Sequence, residues 1–288
     1  MRLRKWVDAL RHMLVLCSPM TTGEKKSVTC TFAIWPSVRK NVRPSWSTST
    51  RRCGHASIAR RLGMAVLIKE ELKETAMVSA IAGIRIPDSK LAIDTTEFIR
   101  DTESPLLYHH SRRTFLFGML HGELRGLKAD PELLYVATMF HDLGLVEGHR
   151  NLNRRFEVDG ANAARDFLMS HKVPEDAIRR VWSSIALHTT HGIPEFMEPE
   201  IALVAAGVET DIDGRDLRLL DPAVVKEILA AHPRIDFKRQ AFKAFTEGSR
   251  DRPETAFGTI TADVLSHFSP GFRRKDFVEV VMHNDWPD

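Results

Sequence analysis

Two Asp-Pro pairs, Asp130-Pro131 and Asp221-Pro222, each open an apolar run and constrain this 288-residue chain more than any other feature. An aspartate accepts hydrogen bonds from the first free amides of a helix, and proline tolerates the first helical position because its missing N–H is not needed there. "ADPELLYVATMFHDLG" therefore predicts a helix from Pro131 with Gly144 beyond its end, and "DPAVVKEILAAHP" repeats the device up to Pro233. "VPEDAIRRVWSSIALHTTHG" starts at Pro174 and stops before Gly192, with Ile178, Val181, Trp182, Ile185 and Leu187 on a broad apolar side. Further helices are predicted near 105–126, 157–171, 199–208, 235–248, 258–268 and 273–283. Alternating strands with hairpin turns are absent from this reading, so residues 64–288 are expected to form one all-α domain without internal repeats.

The charge is divided sharply. Residues 1–63 hold 13 Lys/Arg against 2 Asp/Glu, whereas the remainder holds 28 against 36. Cys17, Cys30 and Cys53 all lie in the basic part, so the acidic body needs no disulfide or thiolate ligand, which fits a reducing, cytoplasmic setting. The leader "SVRKNVRPSWSTSTRRCGHASIARR" has little periodicity; Val28, Cys30, Phe32 and Ile34 alternate, but one short strand has no sheet to join. Three readings compete for residues 1–63: an organelle-targeting segment beginning "MRLRKWVDALRHMLVL", a basic nucleic-acid arm, or sequence upstream of a true start at Met64 or Met77. The last is favoured because charge-balanced helical sequence begins abruptly at Met64. No apolar run reaches the roughly 18 residues of a membrane-crossing helix, and an acidic body offers no general attraction for nucleic acid.

Four places put histidine or aspartate where a buried helix face should be apolar: "LLYHHSRRTFLFG", "MFHDLG", "SSIALHTTHG" and "LVAAGVETDIDG". His141 and Asp142 point about 100° apart on a helix, so both can reach one ion only if it lies off the helix end. His110 opens a segment whose Phe115, Leu116, Leu120 and Leu124 read as buried, and Asp211 closes an apolar stretch. Two imidazoles and two carboxylates suit one divalent metal, zinc first and iron or manganese as alternatives. Singly, each member is commonly a core or turn residue; His109, His121, His149 and His171 need no special role.

The ordered set His110, His141-Asp142, Asp211 resembles the H…HD…D signature of the HD-domain superfamily of metal-dependent hydrolases. The segments "HSRRTFLFG", "FHDLGL", "RFEVDGANAARDFL" and "IALHTTHGIP" are similar to its cyanamide hydratase-like branch over roughly residues 90–285. The resemblance implies an all-α bundle around a central metal. It selects His110 over His109, through the H-S-x-R pattern with Ser111 and Arg113, and Asp211 over Asp213, through the D-x-x-G ending at Gly214.

A metal-activated water then implies either hydration of a small nitrile such as cyanamide to urea or phosphohydrolysis of a nucleotide or other phosphomonoester. A ligand-binding HD module without catalysis is the alternative of a different class. His188 is the candidate to deliver or orient a proton; His191, three residues on, could share its face, although the resemblance centres on His188-Thr189. Glu157 is an acid/base or supporting carboxylate, or equally a helix N-terminal charge. Arg113 and Thr189 are the candidate substrate contacts, and Arg154 and Arg155 could meet a phosphate or simply be solvated. No glycine-rich phosphate loop is present. The expected partner is a small-molecule substrate, without membrane, and the oligomeric state is open up to a homodimer.

Overall fold

The computed structural model describes residues 80–287, together with the backbone of two strands, Val15–Pro19 (β1) and Val28–Phe32 (β2). Contacts divide the chain into two units, Met1–Ala76 and Met77–Asp288. In the first unit β1 and β2 pair antiparallel with Cys17 opposite Cys30, so the alternating stretch at Val28 does find a partner. Ile34, the amphipathic start and both candidate start methionines lie outside the described residues.

The second unit opens with a minimal hairpin, Ala80–Ile81 (β3) and Ile84–Arg85 (β4), which has no counterpart among the predicted elements. Its two-residue loop, Ala82 and Gly83, has φ of 52° and 78°, the positive values that match a hairpin turn to strand twist. Ten helices follow among the described residues: α1 Lys90–Thr102, α2 Pro105–Arg125, α3 Pro131–Phe140, α4 Phe156–Ser170, α5 Glu175–Leu187, α6 Pro199–Ile212, α7 Pro222–Ala231, α8 Phe237–Ser249, α9 Ile260–Phe268 and α10 Phe277–Met282. The expected all-α architecture is present, and no helix of the described residues is long and apolar enough to cross a membrane. The proline starts behave as read: Asp130 accepts from the amides of Glu132 and Leu133, and Asp221 accepts from Ala223. α1 is absent from the predicted helices; Ser89 caps it, and its inward stripe of Ala92, Thr95 and Ile99 is thin and includes a threonine.

α3 is enclosed on all sides, every residue from Leu133 to Phe140 being buried, which is why its sequence is apolar all round. Phe140 joins α3 to its neighbours through rings 5.5 Å from Phe98 of α1 and 5.1 Å from Phe167 of α4. α2 runs through the centre of the unit, buried continuously from His110 to Gly118, while Leu124 near its end is exposed, contrary to the reading of its apolar face. α2 and α6 pack backbone against backbone. A Cβ at Gly207 would sit 2.2 Å from the Thr114 carbonyl oxygen, so only glycine lets the two backbones meet and hold the ends of α2 and α6 in register.

Gly144 lies beyond the helix end, as read, but does not itself end the helix. α3 ends at Phe140, His141 is its cap, and Leu143–Leu145 forms a 3₁₀ turn, so Gly144 is not a left-handed helix stop. Its role is space: a Cβ there would lie 2.0 Å from the Phe156 carbonyl oxygen and 3.0 Å from the Gly160 amide. The His141-Asp142 turn is thereby pressed against the start of α4. Buried Arg252 grips it from behind, donating to the Gly144 carbonyl at 2.6 Å and to Asp159 Oδ2 at 2.6 Å.

Candidate metal centre

His110 from α2, His141 and Asp142 from the end of α3, and His188 from the end of α5 converge in the interior, none more than 3% exposed. Each imidazole has its Nδ1 beside an oxygen acceptor: Asp211 Oδ2 at 2.6 Å from His110, the Thr138 carbonyl at 2.7 Å from His141, and the Ile185 carbonyl at 2.7 Å from His188. An acceptor at Nδ1 favours the tautomer with its proton on Nδ1, in which the neutral imidazole keeps its lone pair on Nε2. Those Nε2 atoms face inward. His110 and His141 bring theirs within 3.1 Å of each other, and Asp142 Oδ2 stands 3.6 Å and 3.4 Å from them. His188 Nε2 lies 3.8 Å from Asp142 Oδ1, a buried oxygen with no hydrogen-bond partner.

Two Nε2 atoms that meet beside the Asp142 carboxylate, whose other oxygen is unpartnered, are placed to share a cation. The set of His110, His141 and Asp142, with ligand atoms all within 4.8 Å of one another, fits a divalent metal on those grounds. Protonation supports the same conclusion. Burial holds His141 neutral, its pKa lowered to about 3, and lowers His188 as well. Burial pushes Asp142 up, but the imidazoles around it outweigh burial and keep it ionised.

Asp211 stands one layer behind. Both its oxygens are engaged, by His110 Nδ1, by the Nε and Nη2 of Arg113 at 2.8 Å each, and by Arg234. Burial pushes its carboxyl up, yet the hydrogen bonds and charges of His110 and Arg113 carry it well below the usual range. As placed here it fixes the tautomer and angle of His110 rather than joining the cluster of mutually close ligand atoms. Arg113, read from sequence as a substrate contact, is wholly buried and spends its remaining donors on the carbonyls of His232 and Pro233. It is an internal clamp between α2 and the segment before α8.

Glu157, at the start of α4, is buried and accepts from Arg155 Nη2 at 2.6 Å and from the Thr189 hydroxyl. Burial raises its pKa, but Arg155 and then His188 and Thr189 hold it below the usual value, so it faces His188 as a carboxylate. Arg154 turns to Asp159. His191 does not reach the cluster: α5 stops at Leu187, the helical spacing behind that expectation ends with it, and His191 lies half-exposed on Glu209 at 2.8 Å. Sequence reasoning missed Arg234 and Phe237, whose ring lies 5.5 Å from His110 and under the guanidinium groups of Arg113 and Arg234.

Residues 107–223 match the HD domain family. The matched segment contains every member of the cluster together with Asp211 and Glu157. No curated protein matches the chain.

The second unit also carries an acid sensitivity outside the cluster. His232 is buried against Arg112 and His109, and burial followed by the Arg112 charge lowers its pKa to about 3. A folded pKa below the unfolded value means that the unfolded chain takes up the extra proton between about pH 6.5 and 3, so this stabilisation is full above 6.5 and declines as pH falls. Thermal melting of the metal-free protein should drop across that window. His232→Gln is expected to recover about 5 °C of the loss at pH 4.5; equal slopes for variant and wild type would contradict the assignment.

Proposed function

We propose that this HD domain uses a metal-activated water on a small uncharged molecule, with cyanamide hydration to urea as the specific reaction. The observation that carries the reading is the fate of the cations around the cluster. Among the described residues, Arg113 and Arg234 are committed to Asp211 and Arg155 to Glu157, so no guanidinium at the site is left for a phosphate. The cluster is also enclosed, which favours a substrate of a few heavy atoms. His110, His141 and Asp142 would hold a divalent ion, which would bring the pKa of a bound water near neutrality.

The chain's own residues divide the remaining work. Asp211, the Thr138 carbonyl and the Ile185 carbonyl hold three Nδ1 protons in place and so keep three Nε2 lone pairs aimed inward. His188 in that tautomer accepts at Nε2 the proton lost by the attacking water and returns it to the nitrile nitrogen, and the Glu157 carboxylate stabilises the imidazolium between the two transfers. Thr189 donates its hydroxyl proton to Glu157 and accepts from Arg155 Nη2 at 3.2 Å, which holds that carboxylate in place. Full-length protein loaded separately with zinc, iron or manganese should convert cyanamide to urea. It should release no phosphate from nucleotides. Absence of urea with all three metals would sink the cyanamide reading, and phosphate release would favour phosphohydrolysis.

A further inference from the structure

Glu103 is a buried acid that none of the chemistry above uses. It caps the C-terminus of α1 through its backbone and is 7% exposed, and neither of its carboxyl oxygens has a hydrogen-bond partner. The Ser111 hydroxyl, one residue beyond His110 and fully buried, lies beside Glu103 without a hydrogen bond of standard geometry to it and is also unpartnered. Asp142 is close enough for its charge to bear on Glu103, and Asp142 Oδ1 is the third orphan of the group. An unmatched buried carboxyl is costly, and unmatched atoms on three neighbouring side chains together imply a polar guest.

We propose that Glu103 and Ser111 form a specificity recess beside the metal cluster that receives the N–H-bearing end of a small neutral substrate. The inference rests on the proposed function and narrows it. Two carboxyl oxygens and a hydroxyl can accept from an amino group such as that of cyanamide while its nitrile carbon is directed toward the cluster. A site built to hydrogen-bond an N–H group rejects an analogue that lacks it far more strongly than an apolar pocket could.

The test uses cyanamide and dimethylcyanamide, which share the nitrile but differ in N–H groups, with the full-length metal-loaded protein. Calorimetric binding and urea or dimethylurea formation are followed for wild type, Glu103→Gln and Glu103→Leu, with melting and metal content as checks on folding. Wild type should bind cyanamide on the order of 100-fold more tightly than dimethylcyanamide. Glu103→Leu should reduce that ratio to within about threefold, with metal content unchanged, and Glu103→Gln, which keeps one acceptor, should fall between. Equal binding of the two probes by wild type, or an unchanged ratio in Glu103→Leu, overturns the recess. Urea formation with an unchanged ratio removes the recess and leaves the function standing. Glu103-dependent binding without urea removes the function and leaves the recess.

Discussion

Asp142→Ala is expected to abolish divalent metal binding and to lower kcat/KM at least about 10³-fold, while the metal-free protein melts no lower than wild type. The first half follows from geometry. Asp142 is the only carboxylate among the three residues whose ligand atoms converge, and removing it leaves two neutral imidazoles to hold a doubly charged ion. The second half separates a metal site from a structural one. In the metal-free protein Asp142 has one oxygen unpartnered and its side chain accepts no hydrogen bond from a described residue, so deleting it breaks no bond, and the desolvation cost it removes offsets the attraction of the imidazoles lost with it. Added metal should raise the melting temperature of wild type by mass action and leave the variant where it was. A variant that binds metal as wild type does, or that unfolds without it, would contradict the assignment.

Gly144→Ala is expected to be the most damaging single methyl group in the domain, costing about 3–5 kcal/mol or preventing folding. The atoms in its way, the Phe156 carbonyl and the Gly160 amide, belong to the backbone at the start of α4 and cannot rotate aside. Relief requires the His141-Asp142 turn and α4 to separate, which also moves Glu157 away from His188. Gly148→Ala is the control, four residues on, with φ of 89° and nothing within 4 Å of where its methyl would stand; it should cost only about 1 kcal/mol. Denaturant unfolding of the two variants gives the comparison, and similar losses would show that conformation rather than space governs Gly144.

Much of this architecture is legible in the residues because local rules and tertiary demands agree. Asp130-Pro131 and Asp221-Pro222 cap and start helices where the sequence says, and an all-apolar α3 ending in His-Asp can only be an enclosed helix that delivers two polar groups. What is not legible is direction. Asp211 stands in the order the resemblance requires, but only the fold shows both oxygens turned to Arg113, Arg234 and His110. His191 sits at a helical spacing from His188, but the spacing has meaning only while the helix lasts, and α5 ends at Leu187. Gly144 reads as a stop signal and acts as a gap. Glu103 gives no sequence signal, since "RDTESP" is an ordinary helix boundary until α1, α2 and the end of α3 enclose it. The adjacent Arg112-Arg113 inside an apolar helix did offer a clue: two buried guanidinium groups need partners, which are Tyr135 and His232 for one and Asp211 for the other.

Everything proposed for the site depends on the inward Nε2 lone pairs of His110 and His141 and the Asp142 carboxylate meeting at one divalent ion. X-ray absorption at the metal edge of the loaded, full-length protein tests this most directly. One ion per chain is expected, with nitrogen and oxygen neighbours at about 2.0–2.2 Å and the outer-shell scattering of at least two imidazoles, reduced in His141→Ala. A metal signal without imidazole scattering, or one unchanged in His141→Ala, would contradict it.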